Sequence, residues 1–259
     1  MDQSIYNTEN KKYLTRLGSA WGGLHVDLDL VTPGSTVISA GLANDITFDV
    51  ALIQQKQCCI VGIDPTRIAL QTVRKYQIDT MNTNRLLGKV RKVIRKMLPW
   101  YVSKNKRFTL IGKALHHTSG LMIHLGGPAR TFLSPTGEEV QTISINDVLA
   151  MYPGASLLKL DIEGAEFPVV DGISYKLRLP QLAISFHTWL NSASDQYPNE
   201  GVVPSIYTAR DVLEAVKKIK GMGYKLVYED REHPERIGQE TVFVREDLAV
   251  QYHDIDLKL

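Results

Sequence analysis

Apolar residues occur in short β-branched blocks, separated by stretches in which they recur every three or four positions. Residues 35–40 (Ser-Thr-Val-Ile-Ser-Ala) follow Pro33-Gly34 and read as a buried strand. A second such block, 58–63, closes at Asp64-Pro65, and others fall at 156–162 and 182–186. Between them lie helical periodicities: 45–55 with Ile46, Val50, Leu52 and Ile53; 66–76 with Ile68, Ala69, Thr72, Val73 and Tyr76; and a short helix at 144–151. A first helical turn is expected over 167–172, where Pro168 fits only near the start. Residues 208–220 carry Val212, Leu213, Val216 and Ile219 on one face, with Thr208 as N-cap and Gly221 and Gly223 as terminators. Residues 108–115 and 121–125 read as one strand and its continuation around Ser119-Gly120. Residues 224–228 and 240–244 read as a closing antiparallel hairpin.

Strands that alternate with helices and are almost continuously apolar predict a mostly parallel sheet covered on both faces, an α/β Rossmann-like doubly wound fold. Without an internal repeat or linker, residues 1–259 are expected to form a single domain. Residues 1–33 would be its lead-in, and 77–106 a basic helical insertion that could act as a lid. Within that insertion Leu86, Val90, Val93, Ile94 and Met97 share a stripe, which predicts an amphipathic helix ended by Pro99.

Charge sharpens this picture. Eleven basic residues and one acidic residue, Asp79, lie between Arg74 and Arg107, so of 30 basic and 28 acidic residues, 19 and 27 lie elsewhere. The basic excess is local. It reads as the solvated face of a helix, as a lid that attracts an anionic acceptor, or as a patch (85–107, with Trp100 and Tyr101) that seats on an anionic membrane. Binding of nucleic acid is not expected, since no aromatic platform accompanies the charge. No run reaches the roughly 18–20 apolar residues that span a bilayer, and residues 1–12 lack a secretory pattern. The two cysteines, Cys58 and Cys59, are adjacent in a strand and point to opposite faces, so no disulfide joins them and a cytoplasmic location is expected.

In open α/β sheets, ligands bind beyond the carboxyl ends of the strands. This directs attention to residues 41–45, Asp64, 113–115, 161–166 and His187. The turn Gly41-Leu-Ala-Asn-Asp45 lets a ligand approach the backbone, and Asp64 is placed to accept both hydroxyls of an adenosine ribose. Asp161, Glu163 and Glu166 gather three carboxylates within six residues, and Asp161 shares a strand face with Lys159. Lys159 and Asp161 either neutralise each other, or Asp161 faces a reacting centre while Glu163 or Glu166 binds a metal or orients an acceptor. His187, at the next strand end, is the candidate base, since an ordinary pKa of ~6.5 suits proton removal near neutrality. His116, His117 and His124 are read as surface residues.

The segments 37–45 (Val-Ile-Ser-Ala-Gly-Leu-Ala-Asn-Asp) and 61–66 (Val-Gly-Ile-Asp-Pro-Thr) resemble the nucleoside site of class I methyltransferases, and 157–167 (Leu-Leu-Lys-Leu-Asp-Ile-Glu-Gly-Ala-Glu-Phe) is similar to the signature of the FkbM-type branch. Residues 142–149 and 111–120 are similar to its flanking regions. The resemblance implies a seven-stranded sheet, bound S-adenosylmethionine, and methyl transfer, usually to a hydroxyl. It would place Gly41, Asn44 and Asp45 against the methionine and ribose, Asp64 on the ribose, Lys113, Ala114 and Leu115 beside the adenine, and Asp161 nearest the sulfonium. The glycine-rich 18–23 segment would cover the cofactor. Two positions depart from the pattern: Ser39 stands where the first-strand acid is usual, and Ala43 where a second glycine is usual.

The expected function is therefore an S-adenosylmethionine-dependent O-methyltransferase acting on a saccharide or small-molecule hydroxyl, with Asp161 and His187 catalytic. A divalent metal on Asp161, Glu163 and Glu166 is the variant reading. Two rivals remain, a noncatalytic binding protein with a degenerate site and an enzyme that uses another adenosine cofactor. The second lacks the glycine fingerprint of a dinucleotide cradle.

Overall fold

The computed structural model describes residues 3–82, 107–126, 132–133, 138–174, 176–188, 207–230 and 240–257. The expected 85–98 helix, most of the basic insertion and most of the 191–207 segment lie outside them.

The β-branched blocks pair as the patterning predicts. β3 (Thr36–Ala40), β4 (Cys59–Ile63), β5 (Phe108–Ile111), β10 (Ala155–Leu160) and β11 (Gln181–Ile184) run parallel, in the order β11-β10-β3-β4-β5. β12 (Tyr224–Glu229) and β13 (Thr241–Arg245) extend the edge antiparallel, giving a seven-stranded sheet. Because successive side chains alternate across a strand, Val37 and Leu157 enter one apolar layer, and Ile38, Ala40, Leu158 and Leu160 the other. The first layer packs under α2 (Thr47–Lys56) and α3 (Arg67–Asn82). The second packs under α4 (Ile145–Met151), α5 (Glu166–Gly172) and α6 (Ala209–Gly221).

Helix starts follow their caps. α2 begins two residues later than the periodicity implies because Asp45 stays outside the helix, where its Oδ1 accepts the N–H of Thr47 (2.8 Å). Thr66 Oγ1 likewise accepts the N–H of Ala69 ahead of α3, and Ser144 Oγ that of Asp147 in α4. At α6, Asp211 Oδ2 accepts the N–H of Thr208 (2.7 Å).

Two expectations fail. Residues 108–125 do not form one continued strand. β5 joins the main sheet, whereas β6 (Ala114–His116) and β7 (Met122–Gly126) turn away and pair with β9 (Glu138–Ser144), with β8 (Phe132–Leu133) beside β7. β9 has a polar first half, Glu-Glu-Val-Gln, so its buried half of Thr142, Ile143 and Ser144 is too short for apolar patterning to reveal a strand. His116 is buried rather than on the surface; its ring stacks on that of His117 (4.1 Å), and burial, with His117 beside it, holds its pKa below the ordinary value.

The lead-in carries α1 (Gln3–Asn10) and a hairpin of β1 (Thr15–Leu17) and β2 (Leu24–Val26). Both cysteines are unbridged, and burial pushes the Cys58 thiol up to about 11. Among the described residues no helix is long and apolar enough to cross a membrane.

Candidate active site

At the carboxyl end of β3 the chain must turn sharply against β10. Gly41 has φ +79°, and a Cβ there would lie 1.7 Å from the carbonyl oxygen of Asp161, so only glycine fits. Ala43 also adopts a left-handed backbone, φ +41°, where its Cβ is strained. The turn is held by Asp64 at the end of β4. Its Oδ2 accepts the N–H groups of Leu42 (2.9 Å) and Ala43 (3.0 Å), and its Oδ1 accepts that of Thr66 (2.8 Å). Three of about four acceptor positions on this carboxylate are thus filled by backbone, and the expected ribose contact would have to use what remains. Asp45 accepts hydrogen bonds from the Ser19 hydroxyl and from Thr47; burial opposes its ionisation, but these bonds hold its carboxyl below the ordinary value.

On β10, Lys159 is almost fully buried. Its ammonium donates to the carbonyl of Gly41 (2.6 Å) and lies 3.6 Å from Asp161 Oδ2, so the lysine and the aspartate do share a face. The chain then turns through Glu163 (φ +54°) and Gly164 (φ +96°) into α5. Glu166, fully buried, organises that turn. Its Oε1 accepts the N–H of Ile162 (2.6 Å), its Oε2 accepts that of Gly164 (2.9 Å), and Oε1 also pairs with His187 Nδ1 (2.9 Å). The other ring nitrogen, Nε2, lies 3.6 Å from Asp161 and 3.9 Å from Glu163.

This arrangement bears on two expectations. His187 does sit with Asp161 at the strand ends, with Glu166, Glu163 and Asp161 around its ring. Burial alone would lower its pKa, yet the charge and hydrogen bond of Glu166, followed by Glu163 and Asp161, outweigh burial and push it up to about 10. Three carboxylates surround the ring. Glu166, for its part, is turned into the loop with its oxygens occupied by Ile162, Gly164 and His187. Among the described residues no group of three or more His, Cys, Asp or Glu side chains is arranged around a metal position.

A cavity opens at these strand ends. Gly41, Asn44, Asp45, Asp64 and Asp161 all line it, with Lys159 at its floor. One side is apolar, formed by Ile63, Pro65, Ala114, Leu115, Ile123 and Leu125. Lys113, expected beside Ala114 and Leu115, is not part of the lining, nor are Glu166 and His187, which stand behind it. Trp21 and Gly22, from the 18–23 segment expected to cover the cofactor, line the cavity too, whereas sequence reasoning missed Ile123 and Leu125 from the small sheet. The latter depend on β7 leaving the main sheet.

Beneath the loop lies an unexpected buried acid. Asp49 on α2 is 1% exposed, and neither of its oxygens, nor the Ser39 hydroxyl, has a hydrogen-bond partner among the described residues. Burial raises the Asp49 pKa, with the charge of Lys159 opposing the rise. An acid absent from position 39 of β3 is thus present on the neighbouring helix.

A family model, the methyltransferase FkbM domain, matches residues 27–226. No curated protein matches the chain. Among solved structures, the methyltransferase FkbM from Methylobacillus flagellatus KT is 18% identical over 82% of this chain and 43% of its own, with a TM-score of 0.48. This chain therefore spans less than half the length of that protein. A putative rRNA-methylase from Clostridium thermocellum is 13% identical over 82% of this chain and 86% of its own, with a TM-score of 0.40. The 16S rRNA (adenine(1408)-N(1))-methyltransferase from Catenulisporales acidiphilia is 12% identical over 94% of this chain and 92% of its own, with a TM-score of 0.39.

Proposed function

The chain belongs to the methyltransferase FkbM domain family, and from that premise we propose that it is an S-adenosylmethionine-dependent O-methyltransferase acting on a saccharide or small-molecule hydroxyl. One observation carries this reading: the Gly41–Asp45 turn, Asp64 and Asp161 converge on a single cavity whose lining holds both apolar side chains and carboxylates. The residues fit the cofactor. The wall of Ile63, Pro65, Ala114, Leu115, Ile123 and Leu125 suits a nucleobase, Asp64 retains acceptor capacity for a ribose, and Asp45 and Asp161 suit its cationic groups.

When bound, S-adenosylmethionine supplies an electrophilic methyl group for in-line displacement, so the protein needs only to orient the partners, exclude water and take up a proton. Lys159 fixes the Gly41 carbonyl and the Asp161 carboxylate, holding the two walls of the site together. His187, as a cation, holds Asp161 and Glu163 at the mouth. The proton acceptor then moves from the histidine to these carboxylates, both of which line the cavity. A carboxylate is a weak base, yet it needs to accept the proton only as the methyl transfers.

Calorimetry with S-adenosylhomocysteine tests the reading. Saturable binding that Asp64→Asn weakens is expected, and no detectable heat at millimolar ligand would exclude it.

A further inference from the structure

Beneath the Gly41–Asp45 turn, a lysine, an aspartate and a serine are buried together. In the parallel register Lys159 of β10 stands opposite Ser39 of β3. Each lies two residues beyond an apolar residue, Leu157 and Val37, of the layer under α2, so both face that helix. α2 brings Asp49 to the same layer, next to Phe48 and one turn from Leu52. Burial is nearly complete for all three: Lys159 is 2% exposed, Asp49 1% and Ser39 0%. Neither oxygen of Asp49 nor the Ser39 hydroxyl has a hydrogen-bond partner among the described residues. Lys159 carries three N–H donors, of which one goes to the Gly41 carbonyl (2.6 Å). Its carboxylate partner is Asp161, at 3.6 Å, and Asp161 lines the cavity.

These charges conflict with the task of the site. An Asp161 that neutralises Lys159 has little net charge to offer a cationic ligand, and a second carboxylate behind the lysine removes that conflict. Packing alone explains Asp49 poorly, since an uncharged residue would fill the place without burying a carboxyl group that nothing bonds. We propose that Asp49 is the reserve counter-ion of Lys159: protonated while the cavity is empty, it ionises when a cation binds against Asp161, and so makes the site prefer a sulfonium to a neutral thioether. Ionisation breaks the Asp49 O–H bond and passes one proton to solvent; after methyl transfer the sulfur is neutral, Asp49 takes a proton back, and the product is held less tightly. The surroundings suit a group held in its neutral form yet open to ionisation. Burial raises the Asp49 pKa, the charge of Lys159 and the nearby Ser39 hydroxyl oppose the rise, and the charge of Asp45 at the start of α2 adds to it. Cys58, ahead of β4, is the remaining titratable neighbour, and burial keeps its thiol protonated up to about 11. This inference rests on the S-adenosylmethionine reading and adds to it how the site tells the cofactor from its product.

The full chain, without acceptor, is titrated calorimetrically with S-adenosylmethionine and with S-adenosylhomocysteine between pH 5 and 9. Buffers of different ionisation enthalpy make the heats report the protons released. S-adenosylmethionine should release more protons than S-adenosylhomocysteine within that range, and its relative affinity should rise with pH where the excess appears, because ionised Asp49 and the bound cation favour each other reciprocally. Asp49→Asn should abolish the excess and, at the upper end of the range, weaken S-adenosylmethionine about fivefold or more relative to S-adenosylhomocysteine. The wild-type comparison needs no variant, and urea unfolding checks that Asp49→Asn is folded. Equal proton release by the two ligands, or an excess that survives in Asp49→Asn, would overturn the proposal and leave the methyltransferase reading standing. Equal weakening of both ligands in Asp49→Asn would likewise overturn it and make Asp49 a packing residue. Failure of wild-type protein to bind S-adenosylhomocysteine would remove the reading beneath it.

Discussion

Replacing Glu166 by Gln preserves the shape of the side chain but removes its charge and one of its two acceptor oxygens. In the native structure those oxygens hold Ile162, Gly164 and the His187 ring at once. Breaking a buried charge pair by neutralising one member typically costs ~3–5 kcal/mol, because the remaining charge stays buried. The His187 shift points the same way. Its pKa moves from 6.5 to about 10 in the folded protein because Glu166, then Glu163 and Asp161, more than offset the burial that would lower it. The sign follows from linkage. A group whose pKa is raised by folding contributes stability that is fully present below 6.5 and is lost as pH rises through about 10. Urea unfolding of both proteins at pH 6, 8 and 10 separates the contributions. Glu166→Gln should lose ~3–5 kcal/mol at pH 6 and only about 2 kcal/mol at pH 10, where the lost loop hydrogen bonds remain the main cost. An equal loss at every pH, or none, would refute a caged imidazolium and restore His187 as a candidate base.

Ala43→Gly should stabilise the protein by up to ~1 kcal/mol in chemical denaturation, since the left-handed backbone at 43 strains a Cβ. Gly41→Ala should do the reverse, forcing the β3 turn away from the Asp161 carbonyl and abolishing calorimetric binding of S-adenosylhomocysteine even where circular dichroism still reports a folded sheet. Asp49→Asn should raise the urea midpoint at pH 7 and lose that advantage as pH falls toward the ordinary aspartate value of 3.8, because a buried acid with a raised pKa contributes stability only while protonated; an unchanged midpoint at all pH values would contradict the burial of an uncompensated carboxyl group.

The sequence by itself determined the parallel strands and the helices that cover them. Blocks such as 35–40 and 58–63 are apolar throughout because both faces of a central strand are buried, and that pattern is local. It also determined where the site lies, since loops at strand ends are fixed once the strands are known; Gly41, Asp64 and Asp161 could be named from position alone. Only the tertiary structure decided what each polar side chain does there. Glu163 and Glu166 look alike three residues apart, yet the left-handed backbone at Glu163 sends one to the mouth and the other under the loop. His187 reads as an ordinary histidine until three carboxylates from another strand end surround it. Ile123 and Leu125 reach the site from a separate sheet. Contacts between segments so distant along the chain are set by packing, and no local spacing records them.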